Sequence, residues 1–144
     1  MLEPGRSLVA DAGMTLYTVG SVKEIKGYKN YVSVDGGMAD NPRFALYEAE
    51  YTVEIADKMN DKKDFTATVA GRCCESGDLI AEDVKMARPQ RGNILAVMTT
   101  GAYNYSMASN YNRLPRPAVV MLKNGEERVI VERESLEDIR RLDY

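Results

Sequence analysis

Short segments rich in β-branched and aromatic residues recur along the chain, and turn-forming residues separate them. This pattern is typical of the strands of an all-β sandwich or barrel. Seven segments have it, namely residues 14–25, 28–34, 49–55, 65–69, 93–99, 118–122 and 128–132. The sequence therefore predicts an all-β fold.

The clearest turn signal lies between the last two of these segments. Asn124 and Gly125 are adjacent there, and both residue types tolerate positive φ, which suits a two-residue hairpin turn. The sequence thus predicts a hairpin with a strand on either side of this pair. The polar stretch 57–64 lies elsewhere in the chain, and we expect it to form a mobile hairpin loop.

The end of the chain changes from a strand period to a helical one. Leu136, Ile139 and Leu142 share one face of a helix. Ser135 precedes them and can cap the helix N-terminus, with Asp138 three residues further on. We therefore expect a short C-terminal helix to close the domain.

Length and charge limit the partners that the chain can take. Its 144 residues suffice for one domain with a single core. The net charge of −3 arises from basic and acidic residues that are interspersed, so the sequence predicts no basic face for nucleic acid or an anionic membrane. No apolar run is long enough to cross a bilayer and no secretory signal is evident, so we expect a soluble, cytoplasmic protein.

The lack of histidine and the adjacency of the two cysteines limit the catalytic and metal-binding chemistry that the chain can perform. The chain has no histidine, which excludes Ser-His-Asp and Cys-His catalysis and His-ligated metal sites within it. The two cysteines, Cys73 and Cys74, are adjacent, so they provide neither a disulfide framework nor a spaced zinc-binding set, and we expect no metal site. Proton transfer must then use a thiol, a tyrosine, a lysine or a carboxylate.

Four clusters combine charged, polar and glycine residues in ways that a plain β core does not require. They are Glu3-Pro4-Gly5-Arg6, Asp35-Gly36-Gly37 with Arg43 and Tyr47 after it, Cys74-Glu75-Ser76-Gly77-Asp78, and Gly101-Ala102-Tyr103. Each cluster alone has an ordinary structural interpretation, such as a surface ion pair, a turn, a small buried residue or a core aromatic. Asp78 alone is interpreted as a turn residue after a glycine.

Taken in order, the clusters resemble the fold-type III, pyridoxal-phosphate-dependent decarboxylases of basic amino acids, and among these the diaminopimelate decarboxylases. The resemblance covers essentially the whole chain. It also includes the motifs Val34-Asp35-Gly36-Gly37-Met38, Ser109-Asn110-Tyr111-Asn112 and Arg116-Pro117-Ala118. It implies a Greek-key β barrel or sandwich with one short C-terminal helix. The implied reaction is the decarboxylation of meso-2,6-diaminopimelate to L-lysine, a step of lysine biosynthesis.

The resemblance implies cofactor contacts from the start of the chain and from Tyr103. Glu3, in the motif with Pro4 and Gly5, is expected to face the pyridine nitrogen of pyridoxal phosphate and keep the ring protonated. Arg6 is expected to contact the cofactor phosphate region and the substrate, since its planar fork of donors suits a phosphate or carboxylate oxygen. Tyr103 resembles the family tyrosine whose hydroxyl reaches both cofactor and substrate.

The resemblance also implies substrate and catalytic roles for residues in the middle of the chain. Arg43 and Tyr47 share one face if a helical turn forms there, and in the family this pair binds a substrate carboxylate. Cys74 resembles the thiol that reprotonates the substrate α-carbon, and Cys73 is expected to be a bystander. Glu75 corresponds to the residue that meets the distal ammonium of diaminopimelate.

Members of this family begin with a (β/α)₈ barrel that carries the lysine to which the cofactor is attached. The resemblance therefore implies that residues 1–144 are a C-terminal β domain and that residues 1–7 are the end of an absent barrel. No lysine of the chain lies in a matching motif, so we expect the isolated chain to be inactive. Relatives are homodimers or higher oligomers that place the thiol and the specificity carboxylate in the partner's active site.

Two other functions fit the sequence. A related decarboxylase for ornithine, arginine or carboxynorspermidine has counterparts of Glu3, Arg6 and Tyr103. Glu75, together with Arg43 and Tyr47, favours diaminopimelate. A non-catalytic oligomerisation or ligand-binding β domain is the alternative of a different class, because a β barrel alone does not fix function.

Overall fold

The computed structural model describes residue 1 and residues 4–144, and most of its regular structure is β-strand. Six strands form one sheet: β1 (Met14–Glu24), β2 (Asn30–Val34), β3 (Val53–Ile55), β4 (Phe65–Ala70), β5 (Leu79–Met86) and β6 (Ile94–Met98). Two more, β7 (Val119–Lys123) and β8 (Glu126–Val131), form a separate hairpin. The helices are short: α1 (Arg43–Tyr47), α2 (Asn104–Met107), α3 (Leu136–Arg140) and the 3₁₀ turns Arg6–Leu8, Ala10–Ala12, Ala56–Lys58 and Tyr111–Arg113. The expected all-β fold is confirmed.

The six-stranded sheet curves into a nearly closed barrel. Its strand order is β3-β6-β1-β2-β4-β5, and the two end strands, β3 and β5, contact each other. All neighbouring strands are antiparallel except β2 and β4, which pair in parallel. A purely antiparallel Greek key lacks such a pair. No helix in residue 1 or residues 4–144 is long and apolar enough to span a bilayer.

Apolar side chains from every strand of the sheet fill the barrel. On β1 the buried Tyr17 and Val19 alternate with exposed neighbours, as the two-residue period of a strand requires. Each fully buried Val, Leu or Ile contributes about 1.5–3 kcal/mol through removal from water, so these side chains dominate the stability of the barrel. The fully buried set includes Val19, Val32, Ile55, Val69, Ile80, Leu95 and Val97.

Strand β5 was not predicted from the sequence, because the strand is irregular. Glu82 and Asp83 interrupt its apolar pattern, and Asp83 has a positive φ of 50°. Its register with β4 shifts across these two residues and again between Leu79 and Ala81, as it does at a β-bulge. The two carboxylates face solvent, where Lys29 Nζ lies 2.5 Å from Glu82 and 3.3 Å from Asp83.

The prediction that residues 57–64 form a hairpin loop is wrong. They follow β3 and lead to β4, and these strands are not neighbours: β3 pairs with β6, whereas β4 pairs with β2 and β5. The predicted segment 49–55 is also shorter in the structure, where only Val53–Ile55 is a strand. Local composition identified the polar connection but could not give the strand partners, because these are set by contacts between distant segments.

The predicted hairpin at Asn124 and Gly125 is confirmed. Both have positive φ, 54° and 82°, and Lys123 pairs with Glu126 across the turn. Apolar side chains of both strands nevertheless stay exposed: Val120, Met121, Leu122, Val129 and Ile130. A two-stranded hairpin without a covered apolar face is marginally stable alone in water.

The C-terminal helix and its capping box are confirmed. The Ser135 hydroxyl accepts a bond from the Asp138 amide at 3.1 Å, and the Asp138 carboxylate accepts one from the Ser135 amide at 2.8 Å. The helix ends at Arg140, so Leu142 lies beyond it. It is not the only helix, because α1 and α2 are formed within the loops that carry candidate site residues.

A partly exposed ion pair between Arg116 and Glu134 connects the segment before β7 to the segment after β8. Glu134 accepts bonds from the Arg116 side chain at 2.8 Å, the Arg116 amide at 2.8 Å and the Asn110 amide group at 2.6 Å. These donors, the Arg116 side chain foremost, lower the pKa of Glu134 from 4.5 to about 2. The carboxylate therefore stabilises the fold in its charged form.

We expect the contribution of Glu134 to the stability of the fold to depend on pH. Because its folded pKa is below its unfolded pKa, the contribution is complete above about pH 4.5 and disappears as the pH falls towards about 2. The difference in unfolding free energy between the wild type and Glu134→Gln, measured by urea denaturation, should shrink across this range. Glu127→Gln, an exposed change on β8, should show no such trend. A constant difference for Glu134→Gln would contradict the assignment.

Candidate functional site

The Arg43 guanidinium lies over two tyrosine rings. Its central carbon is 5.3 Å from the ring centre of Tyr47 and 5.3 Å from that of Tyr103. Both distances are within the range of a cation–π interaction. Arg43 begins α1 and Tyr47 ends it, so the predicted helical turn is formed and places both on one face. Nη1 of Arg43 also lies 4.0 Å from the sulfur of Met107, which ends α2.

Tyr103 occupies an unusual backbone conformation. Its φ of 70° is rare for an aromatic residue, and it immediately precedes α2. Backbone in such regions costs free energy and persists where the surrounding structure holds it, often at functional sites. The strain is consistent with a functional role for this tyrosine.

Close main-chain packing brings the N-terminal segment to the Tyr103 loop. The Gly101 amide donates to the carbonyl of Ala10 at 2.9 Å. A Cβ on Gly101 would lie 2.1 Å from the Val9 carbonyl oxygen, and one on Gly13 would lie 2.5 Å from Gly101 Cα. Only glycine permits this contact at either position. Gly101 therefore fixes the segment that precedes β1 beside Tyr103.

The same segment carries the Pro4-Gly5-Arg6 motif. A Cβ on Gly5 would lie 2.9 Å from the Tyr103 hydroxyl, so the glycine backbone runs directly beside this group. Arg6 follows in an exposed 3₁₀ turn. Glu3 lies outside the described residues. A guanidinium, a phenol hydroxyl and glycine backbone together match the donor set that binds an anionic phosphate group.

A second group of candidate residues lies between β4 and β5. Cys73 is half-buried, whereas Cys74 and Glu75 are exposed. Burial, followed by the charge of Asp78, raises the pKa of the Cys73 thiol and keeps it protonated. Cys74 is thus the more accessible of the two thiols, which agrees with its predicted role.

Glu75 has a partner that the sequence did not reveal. The Tyr111 hydroxyl donates a hydrogen bond to Glu75 Oε1, and this bond is the main reason that the pKa of Tyr111 is raised. The motif Ser109-Asn110-Tyr111-Asn112 had drawn attention only as part of the resemblance. A tyrosine within that polar motif was the available signal.

No polar contact links the two groups in the described part of the chain. In residues 4–144, no hydrogen bond, ion pair or cation–π contact joins the Arg43, Tyr47 and Tyr103 group to Cys74 or Glu75. The predicted site residues thus fall into two candidate surfaces, one with Arg43, Tyr47 and Tyr103 and one with Cys74 and Glu75.

Comparison with known protein families shows which family this chain belongs to. The family model of the pyridoxal-dependent decarboxylase C-terminal sheet domain matches residues 8–101. The chain belongs to this family. Its barrel is therefore the C-terminal sheet domain of the pyridoxal-dependent decarboxylases, and pyridoxal phosphate is the cofactor that the family uses.

Proteins named diaminopimelate decarboxylase match this sheet domain over nearly its whole length. The diaminopimelate decarboxylase of Bacillus subtilis (strain 168) is 56% identical over 142 residues, which cover 99% of this chain and 32% of the relative. That of Halalkalibacterium halodurans is 54% identical with the same coverage. The sheet domain therefore spans about a third of the length of these relatives.

Solved structures share the fold. A diaminopimelate decarboxylase from M. jannaschii, in co-complex with L-lysine, has a TM-score of 0.89 at 37% identity over 99% of this sheet domain and 32% of that chain. The protein AQ1208 from Aquifex aeolicus has a TM-score of 0.91 at 39% identity over 99% of the domain and 36% of that chain. A lysine/ornithine decarboxylase from Vibrio vulnificus, 24% identical with a TM-score of 0.67, is alike in fold only.

Proposed function

We propose that residues 1–144 are the C-terminal domain of a decarboxylase that converts meso-2,6-diaminopimelate to L-lysine and carbon dioxide. The observation that carries the proposal is the 56% identity to a diaminopimelate decarboxylase over 99% of the chain. In this proposal a (β/α)₈ barrel supplies the lysine to which the cofactor is attached, and residues 1–7 are the end of that barrel. The barrel and this domain together are called the full-length decarboxylase below.

Pro4, Gly5, Arg6 and Tyr103 would hold pyridoxal phosphate from this chain, with Glu3 facing its ring nitrogen. When bound, the cofactor withdraws the electron pair that is left as carbon dioxide departs. The Arg6 guanidinium offers a fork of donors to a phosphate or carboxylate oxygen. The Gly5 backbone lies directly beside the Tyr103 hydroxyl, where a Cβ would come within 2.9 Å of it, so both groups can face the same ligand.

Arg43 and Tyr47 would bind a carboxylate of the substrate. The guanidinium is held over the rings of Tyr47 and Tyr103, so its orientation is restricted before the substrate arrives. A preorganised guanidinium binds a carboxylate through two parallel hydrogen bonds, which a lysine cannot copy. Arg6 and Tyr103 would contact the same substrate from the side of the cofactor.

Cys74 and Glu75 would complete the site. The exposed Cys74 thiol donates a proton to the substrate α-carbon after carbon dioxide has left. The Glu75 carboxylate binds the distal ammonium of diaminopimelate, and the Tyr111 hydroxyl orients that carboxylate. These groups act at opposite ends of the substrate, one at the reacting carbon and one at the position that distinguishes substrates.

We infer a homodimer or higher homo-oligomer in which each site combines the two surfaces. No polar contact joins the Arg43 group to the Cys74 group within the described part of one chain, which supports a site that a second copy completes. Isologous pairing supplies two equivalent sites of this kind. Neither nucleic acid nor a membrane takes part in the proposed reaction.

We expect the purified full-length decarboxylase to release carbon dioxide from meso-diaminopimelate with a kcat/KM that exceeds its value for ornithine on the order of 10²-fold or more, because ornithine lacks the second carboxylate of diaminopimelate. Residues 1–144 alone should release none, since no lysine of the chain lies in a cofactor-binding motif. Carbon dioxide release measured with each substrate tests both points. Turnover by residues 1–144 alone, or a preference for ornithine, would overturn the proposal.

A further inference from the structure

Asp78 is a buried carboxylate that holds two loops together. It is 3% exposed. Oδ1 accepts a hydrogen bond from the Met38 amide and Oδ2 accepts one from the Cys73 amide, each at 2.6 Å. The partners belong to different loops, one before α1 and one between β4 and β5. Buried carboxylates are stable when both oxygens are satisfied in this way.

Both loops have a glycine where the carboxylate lies. A Cβ on Gly37 would be 2.3 Å from Asp78 Oδ1, and a Cβ on Gly71 would be 2.3 Å from the same atom. The loops are further joined by a bond from the Arg72 amide to the Gly36 carbonyl at 3.1 Å. The carboxylate therefore fills a space that the two loops enclose without any free volume for a larger group.

The main chain of Asp78 forms hydrogen bonds to residues on both sides of Cys74 in the sequence. Its amide donates to the Glu75 carbonyl at 3.1 Å, and its carbonyl accepts from the Gly71 amide at 2.8 Å. With the side-chain bond to the Cys73 amide, Asp78 holds the residues on both sides of Cys74. The position of the thiol and of the Glu75 backbone thus depends on one residue.

The second loop leads to the other candidate surface. Met38, whose amide is bound by Asp78, lies five positions before Arg43 in the sequence. Asp40 steadies the same loop from the other side, because its carboxylate accepts from the Gly37 amide at 2.9 Å and from the Tyr17 hydroxyl. A shift of Asp78 would therefore reach both Cys74 and the segment before Arg43.

We propose that Asp78 is a positioning residue that fixes the loop of Cys74 and Glu75 against the loop that leads to Arg43. This inference rests on the proposed function for the reaction that it affects. Asp78 touches neither substrate nor cofactor in this proposal; it acts through the two backbone amides. A carboxylate offers two acceptors, whereas the amide of Asn offers one acceptor and one donor, so Asn must leave one of the two N–H groups unpaired.

The first arm of the test uses the 144-residue chain and needs no activity. In Asp78→Asn, hydrogen exchange at the Met38 and Cys73 amides should become faster, while exchange at core amides such as Leu95 keeps its wild-type rate. Asp83→Asn is the matched control on strand β5, which begins directly after Asp78, since Asp83 is exposed and its carboxylate bonds only Lys29 among the described side chains. It should leave both loop amides unchanged.

The second arm uses the full-length decarboxylase. Asp78→Asn should lower kcat for meso-diaminopimelate on the order of 10²-fold, because a displacement of about 1 Å at a reacting group has an effect of this size. Pyridoxal phosphate per subunit should stay at the wild-type value. Leu95→Ala controls for stability, since it opens a cavity in the barrel core on β6, a strand that borders neither loop, and should lower the melting temperature without changing kcat per loaded site.

Each result decides the proposal. Faster exchange at the two amides with a reduced kcat and full cofactor content supports it. Unchanged exchange, unchanged kcat despite faster exchange, or loss of cofactor in proportion to loss of activity overturns it. If Asp78→Asn does not fold, Gly71→Ala displaces the same carboxylate by its Cβ and should give the same pair of effects. If the wild-type enzyme lacks the activity, the proposed function fails, and the amide exchange alone decides whether Asp78 holds the loops.

Discussion

Replacing Cys74 with alanine in the full-length decarboxylase should lower kcat by about 10²- to 10⁴-fold, the usual contribution of a general acid. The KM for meso-diaminopimelate should change much less, because the proton is delivered after the substrate has bound. The thiol is exposed and a proton donor must reach the substrate carbon, so its loss removes a reacting group without opening the core. Steady-state carbon dioxide release gives both constants.

The adjacent thiol provides the control for this prediction. Cys73 is half-buried and therefore less accessible to a substrate than Cys74, so Cys73→Ala should be nearly silent in kcat. A mixture of Cys74→Ala and Arg43→Ala subunits should regain part of the lost activity if each site combines two chains. Equal losses for the two cysteine variants would show that neither thiol alone is the acid.

Glu75→Gln should reduce kcat/KM for meso-diaminopimelate by a factor that corresponds to about 2–5 kcal/mol, roughly 30- to 5,000-fold. The loss is large because the distal ammonium would lie in a closed pocket without its counter-charge. Pyridoxal phosphate affinity should barely change, since Glu75 lies on the surface that does not carry the cofactor-binding residues. Cofactor titration and steady-state kinetics on the same preparation separate the two quantities.

Tyr111→Phe is the graded control for Glu75. It removes the hydroxyl that donates to the carboxylate but keeps the charge, so it should reduce kcat/KM in the same direction by a smaller factor. If Glu75→Gln instead releases the cofactor and leaves kcat/KM per loaded site intact, the carboxylate is structural and the choice of diaminopimelate over ornithine loses its main residue.

The features that could be predicted from sequence are those that neighbouring residues determine. Asn124 and Gly125 give the hairpin turn, Ser135 and Asp138 give the capping box, and the spacing of Arg43 and Tyr47 gives one helical face. In each case the interacting groups lie within a few residues of one another. Interactions between neighbouring residues are then sufficient to predict the feature.

The features that could not be predicted depend on contacts across the chain. The position of Tyr103 beside Arg43 requires two distant loops to meet, and so does the bond between Tyr111 and Glu75. Asp78 was interpreted as a turn residue, and it does close a turn through its bond to Glu75. Its burial and its bond to Met38 follow only from the closed barrel. The bulge hid strand β5 for a related reason, since an irregular ladder has no simple local period.

The strand order of the barrel also constrains how the molecule reaches its native state. The central strand β1 pairs with β6 from the far side of the sequence, and the parallel pair of β2 and β4 needs a long crossover. Domains dominated by pairings between distant segments fold slowly, in milliseconds to seconds, because loop closure must precede the contacts that reward it. The loop that carries Cys74 begins after β4, and the loop that carries Tyr103 begins after β6. During synthesis on the ribosome, the two candidate surfaces therefore acquire their shape only after β6 has emerged and closed the barrel.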